Sequence, residues 1–105
     1  MPEAADNGGR YRVHCSSVIA QRIKDLQAQA NAEGRGKAFL DALRTIGRHL
    51  IYDPNDFGEP LYRLPALRMQ VRLSLVLPLV ADFAVCEDRP LVFIKGIRLL
   101  PKKRA

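Results

Sequence analysis

Long apolar runs are missing from this 105-residue chain. No window approaches the roughly 18 consecutive apolar residues that a bilayer-spanning helix needs, so no membrane partner is expected. Cysteine is scarce as well: Cys15 and Cys86 stand far apart without a CxxC spacing, which argues against a zinc site and leaves both expected as small buried hydrophobes. No metal and no cofactor is expected. The opening MPEAADNGG has no basic region followed by an apolar run, so it does not read as a secretory signal. Residues 1–9 read instead as a disordered lead-in. Also absent are GxSxG, Walker-type, HExxH and Gly-rich dinucleotide motifs, and any pair of acids at helix spacing with a partner histidine, which removes the common hydrolase, nucleotide-binding and metalloprotease signatures. Aromatic residues amount to 7%, too few for the stacking surface on which single-strand nucleic-acid binders rely.

What is present is an ordinary globular composition. The apolar share is 48% and the charged share 27%, values typical of a cytoplasmic soluble protein, and the length suits one domain, placed at residues 10–100. The net charge of +6 is unevenly spread: residues 54–105 hold nine Lys/Arg against five Asp/Glu and so supply +4 of it. Such an excess favours acidic partners, whether nucleic acid, a phosphate-rich surface or an acidic protein segment. The terminal PKKRA, residues 101–105, is a short basic tail.

Periodicity places the elements. YRVHCS alternates Tyr11, Val13 and Cys15 with Arg12 and His14, as a short strand does. Ser16 or Ser17 then caps a helix in which Ile19, Ile23, Leu26 and Ala30 form one stripe, and Gly34 ends it in the left-handed conformation. A second helix carries Phe39, Leu43, Ile46 and Leu50, widened by Leu40 and Gly47, and stops at Asp53-Pro54. A turn of about four residues between them forces an antiparallel hairpin, and Gly47, costly inside a helix, is expected to permit a close approach. His49 falls in the last turn, where a protonated imidazole complements the helix dipole. After the loop DPNDFGEP, three strands follow: LRMQVRLSLVL, interrupted by Pro78; LVADFAVCE, with Leu79, Ala81, Phe83 and Val85 on one face; and, beyond the turn EDRP, LVFIKGIRLL.

The order is β-α-α-β-β-β. Because an amphipathic hairpin must bury its stripes and a one-sided sheet is the surface available, the expected fold is a two-layer α+β sandwich with the hairpin on one face of an antiparallel sheet. The other face stays open. If Met69, Val71, Leu73 and Leu75 face the helices, the open side receives Arg68, Gln70 and Arg72, joined by Arg12 and His14 from the first strand. Lys95 and Arg98 lie in opposite phases, so both reach that side only if Gly96 marks a bulge. Arg12, Arg68, Gln70, Arg72, Lys95 and Arg98 form the candidate binding set, since guanidinium forks suit carboxylates and phosphates. For chemistry on RNA phosphate the candidates are Arg68, Arg72 and His14.

The order of elements, the segment YDPNDFGEPLYRL with Pro54, Gly58 and Leu61 in a P..G..L pattern, and FAV at Phe83 to Val85 together resemble the RelE/ParE superfamily of bacterial toxins from toxin–antitoxin pairs. The likeness covers about residues 10–100. It implies a small protein that inhibits growth, by cutting mRNA on the ribosome or by poisoning DNA gyrase, and a cognate antitoxin that silences it; a homodimer is left open. The mRNA-cutting branch implies a metal-free, ribosome-dependent endonuclease in which basic side chains hold phosphate and a tyrosine or other polar group handles protons. Here the arginine usual before the aromatic of the LVADFAV strand has no counterpart, and no tyrosine follows Tyr62. The usual catalytic residues of that branch are therefore missing. The alternatives are an RNA-binding or ribonuclease module working through the basic sheet face, or an inactive family relative.

Overall fold

The structure, a computed structural model, describes residues 9–102; residues 1–8 of the expected lead-in and residues 103–105 of the expected tail lie outside that range. The elements are β1 (Arg12–His14), α1 (Ser17–Ala32), α2 (Gly36–Tyr52), β2 (Glu59–Leu64), a single 3₁₀ turn (Pro65–Leu67), β3 (Met69–Val76), β4 (Leu79–Cys86) and β5 (Leu91–Leu99). They form the expected two-layer α+β sandwich, with one strand more than the periodicity showed. The extra strand is β2. Its Pro60 and the adjoining Gly58 read as loop punctuation, but a proline is tolerated on an edge strand, and β2 is an edge: the sheet order is β1-β5-β4-β3-β2. The sheet is mixed, because β1 runs parallel to β5 whereas the other neighbours are antiparallel.

Local chemistry starts and stops the helices. The Ser16 hydroxyl accepts the Ile19 N–H at 3.2 Å, satisfying one of the free donors of the first turn of α1. Gly34, at φ +76°, turns the chain out of α1, and Asp53-Pro54 ends α2 with Pro54 fully buried. The two apolar stripes then close on the sheet. Leu26 and Ala30 of α1 and Phe39, Ala42, Ile46 and Leu50 of α2 pack with Leu79, Ala81, Phe83, Val85, Val92 and Ile97 in one core. Packing settles one detail of α2: Ala42 lies in the fully buried stripe, and Leu43 only borders it.

Residues directly opposite each other on a ladder share a face, and this fixes the orientation of β3. Arg72 stands opposite Phe83, Ser74 opposite Ala81 and Val76 opposite Leu79. Those partners belong to the core under the helices. The polar phase of LRMQVRLSLVL thus points to the helix side, and Met69, Val71, Leu73 and Leu75 point to the uncovered side, the reverse of the expected arrangement. The cause is the placement of the hairpin. α1 packs on β5, and α2 crosses the sheet from β1 to β3, so β3 lies at the hairpin's margin beneath residues 53–58. Polar side chains find backbone partners there. Arg72 donates through Nε to the Phe57 carbonyl at 2.8 Å and through Nη2 to the Gly58 carbonyl at 3.1 Å, and the buried Ser74 hydroxyl donates to the Ala81 carbonyl at 3.2 Å.

Two glycines have opposite roles. At Gly58 (φ +73°) an added Cβ would stand 2.4 Å from the Leu73 carbonyl oxygen, so this position admits only glycine. Gly47 makes no close approach, contrary to expectation: an added Cβ there would meet nothing within 4 Å. The cysteines also divide. Cys86 is buried on β4 as expected, and burial pushes its thiol pKa up. Cys15 is exposed, because β1 ends at His14 before the chain turns into α1.

Candidate functional site on the uncovered sheet face

The sheet face away from the hairpin has an apolar floor. Val71 on β3 and Ala84 on β4 stand opposite each other, as do Met69 and Cys86, and Val71, Ala84 and Cys86 are buried although no helix lies over them. Leu75, at the end of β3, is 63% exposed. The floor is ringed by longer side chains.

Arg12 and His14 of β1 sit opposite Leu91 and Phe93 of β5, and the His14 ring meets the Phe93 ring edge-on at 5.3 Å between centroids. On β5 the ladder slips by one residue: Phe83 pairs with Ile94 and Asp82 with Gly96, leaving Lys95 as the extra residue of a bulge. A Cβ on Gly96 would stand 2.5 Å from the Asp82 carboxylate, so the Asp82 side chain lies close over the glycine and would have to swing aside for any larger residue. The slip aligns two phases that would otherwise oppose each other. Arg98 stands opposite Val80, and Lys95 reaches over the same face to place its Nζ 5.9 Å from the centre of the Tyr62 ring, a cation–π approach. Tyr62 is on this face because it pairs with Val71.

The structure therefore divides the candidate residues. Arg12, His14, Lys95 and Arg98 share the uncovered face. Gln70 and Arg72 are on the opposite face, where Gln70 donates to the Tyr62 carbonyl at 2.9 Å and Arg72 fastens the loop at Phe57. Arg68 is not on a strand at all: it follows the 3₁₀ turn at φ +52°, and its guanidinium lies 3.8 Å from the Asp88 carboxylate. Tyr62 joins this face from a strand that periodicity does not reveal. Its signal was the brief alternation in PLYRL, masked by the flanking Gly58 and Pro60.

Ion pairing separates structural from available cations. Arg63 binds both oxygens of Glu87, at 2.6 and 2.7 Å, and that guanidinium holds the Glu87 carboxyl below its usual range. Arg35 is bonded to Glu33 and to the Leu100 carbonyl. Among the described residues, Arg12, Lys95 and Arg98 are in no ion pair. His49 lies elsewhere, its Nδ1 at 2.8 Å from Asp53 and its ring stacked on Phe57 at 4.3 Å, an arrangement that closes the end of α2. Among the described residues no group of three or more His, Cys, Asp or Glu is placed to hold a metal ion, and no helix is long and apolar enough to cross a membrane.

No protein-family model, curated protein or solved structure matches this chain.

Proposed function

We propose that this chain is the toxin of a RelE/ParE-type toxin–antitoxin pair, which inhibits growth by acting on translation or on DNA gyrase and is neutralised by a cognate antitoxin. The carrying observation is the uncovered sheet face, where Arg12, Lys95 and Arg98, in no ion pair among the described residues, surround an apolar floor. A strand surface of this kind suits an acidic macromolecular partner better than a small substrate, because it offers charge and area without an enclosing pocket. The segment that carries the resemblance also has a physical role here. Pro54 is buried at the end of α2, and Gly58 adopts a conformation closed to other residues, so the two form the joint between the layers.

Expression of the chain alone in a bacterial host should arrest growth. Co-expression of the antitoxin, expected as a small acidic protein from a neighbouring reading frame, should restore growth. Unimpaired growth while the folded chain accumulates would overturn the reading.

A ribonuclease reading has one observation in its favour. Tyr62, Lys95, His14 and Arg98 bring a phenol, an ammonium, an imidazole and a guanidinium onto one face, groups able to move protons and hold phosphate without a metal. Tyr62→Phe should then abolish ribosome-associated mRNA cleavage with the fold intact. If the unaltered chain cuts no mRNA, this second reading is discarded.

A further inference from the structure

One end of the sheet is crowned with arginine. The chain enters β1 through Arg10 and Arg12, leaves β2 through Arg63, enters β3 through Arg68, and turns from β4 to β5 through Glu87, Asp88 and Arg89. The ladders bring these segments together: the Arg12 N–H donates to the Pro90 carbonyl and the Glu87 N–H to the Arg68 carbonyl, both at 2.8 Å. Five arginines stand there against two carboxylates, an excess of three that is half of the net charge of +6.

The ion pairs leave most of that charge free. Glu87 is engaged by Arg63, which binds both of its oxygens. Asp88 lies 3.8 Å from the guanidinium of Arg68 and 3.8 Å from that of Arg89, beyond hydrogen-bond reach, so neither fork gives up a donor to it. Arg10 approaches the Tyr52 ring at 6.0 Å, and neither it nor Arg12 is in an ion pair among the described residues. Arg10, Tyr11, Asp88, Arg89 and Pro90 line a cleft of about 260 Å³ at this end. Arg68 is held here against its backbone preference: at φ +52° it occupies the left-handed region, where a Cβ crowds the chain and glycine or asparagine is the ordinary choice. Its side chain is 70% exposed, and its one ion pair among the described residues is the loose approach to Asp88. A strained residue whose side chain the fold hardly uses points to a ligand.

We infer that this end of the sheet binds the phosphodiester backbone of a nucleic acid, with Arg10, Arg68 and Arg89 on its phosphates and Arg12 leading toward the uncovered face. Apart from Arg12 the surface is separate from the one that carries the toxin reading, and it does not depend on that reading. Three features select this partner. The span from β1 to β3 is three strand spacings, about 14 Å, wider than one small anion bridges, so the matching ligand carries its charges in a row. Guanidinium forks bind phosphate oxygens two at a time. The turn Glu87–Pro90 presents no large apolar side chain, so it lacks the buried centre on which a protein partner would anchor.

Fluorescence anisotropy of the full chain with short labelled duplexes of RNA and of DNA, between about 50 and about 200 mM salt, reads the affinity and its salt slope. The triple variant Arg10→Gln, Arg68→Gln, Arg89→Gln should bind at least tenfold more weakly at the low salt, with a slope shallower by about two to three. The charge-matched control Lys24→Gln, Arg44→Gln, Arg48→Gln, at exposed positions on the helices, should bind nearly as the parent does. Arg68→Gly, which suits the left-handed backbone, should leave the urea midpoint undiminished and still weaken binding. If the triple variant fails to fold, phenylglyoxal labelling of the parent decides: the duplex should slow modification of Arg68 and Arg89 and leave Arg44 and Arg48 unchanged. Binding of either duplex or of both through these three arginines supports the inference and names the source of the phosphate. Equal losses in the two triple variants assign the binding to net charge alone and overturn it. Tighter binding of poly-L-glutamate than of either duplex, lost in the first triple variant, assigns this end to an acidic protein and overturns it too. Growth arrest by a chain that binds neither duplex overturns the inference and leaves the toxin reading standing.

Discussion

The Arg72 guanidinium and the Phe57 carbonyl are 2.8 Å apart, and a second bond from the same side chain reaches the Gly58 carbonyl at 3.1 Å. One arginine of β3 thereby pins the loop that leaves α2 to the strand beneath it. A charged donor to a carbonyl in a part-buried setting contributes about 1.5–3 kcal/mol. Arg72→Ala should accordingly lower stability by about 2 kcal/mol, read as a shift in urea midpoint. Arg72→Lys should recover only part of this, because an ammonium does not reproduce the planar fork. A loss below about 0.5 kcal/mol for Arg72→Ala would show that the loop is held by other contacts.

That arginine also shows how far the sequence was legible. The alternation of residues 67–77 marks a strand, which the structure has at Met69–Val76, but alternation alone does not tell which phase faces the helices. β4 explains why. Apart from Asp82 it is apolar in both phases, with Leu79, Ala81, Phe83 and Val85 on one side and Val80, Ala84 and Cys86 on the other, so the strand beside it finds a largely apolar surface whichever way it turns. The choice falls to long-range placement: α2 ends over β3, and the carbonyls of Phe57 and Gly58 receive Arg72. Caps, helix stripes and the hairpin turn were legible because they depend on residues close in sequence. The bulge at Lys95 is legible only as a condition: Gly96 signals it, and the register slip across from Asp82 shows it.

Opposite effects are expected at two glycines. Gly47 is in a helix interior with open space around its Cα, so Gly47→Ala should stabilise by about 0.8–1 kcal/mol. Gly58 combines φ +73° with a carbonyl oxygen 2.4 Å from the position of a Cβ. Gly58→Ala should cost more than about 2 kcal/mol, from left-handed backbone and steric overlap together. Thermal unfolding of the two variants beside the parent measures both, and equal shifts of the same sign would contradict the placement of residues 57–59 against β3.

The Arg63–Glu87 pair should give a small acid-sensitive contribution. The guanidinium holds the Glu87 carboxyl below its unfolded pKa, so the contribution is complete above that unfolded value and is lost as pH falls through the lower, folded one. Both side chains are substantially exposed, and solvent screening keeps the effect modest. Comparing urea midpoints of the parent and Glu87→Gln from about pH 7 to about pH 3 should show a gap that closes on the acidic side. A gap that widens toward acid would reverse the assigned sign.

The cations of the uncovered face should behave unlike Arg72. Arg12, Lys95 and Arg98 hold no ion pair among the described residues, and the two arginines are exposed, so neutralising them removes little that the fold uses. Each change to glutamine should alter stability by less than about 0.5 kcal/mol, with Lys95→Gln at the upper end because it also loses the approach to the Tyr62 ring. Their cost should appear in binding. Unpaired charges steer an acidic partner, and losing three of them halves the net charge of +6, so association should slow and its salt dependence should weaken. Stopped-flow association of the triple variant with the co-purified partner, at about 50 and about 200 mM salt, separates the two roles. A triple variant that unfolds easily, or one that associates at the parent rate at both salt concentrations, would show that this face is not where the charge acts.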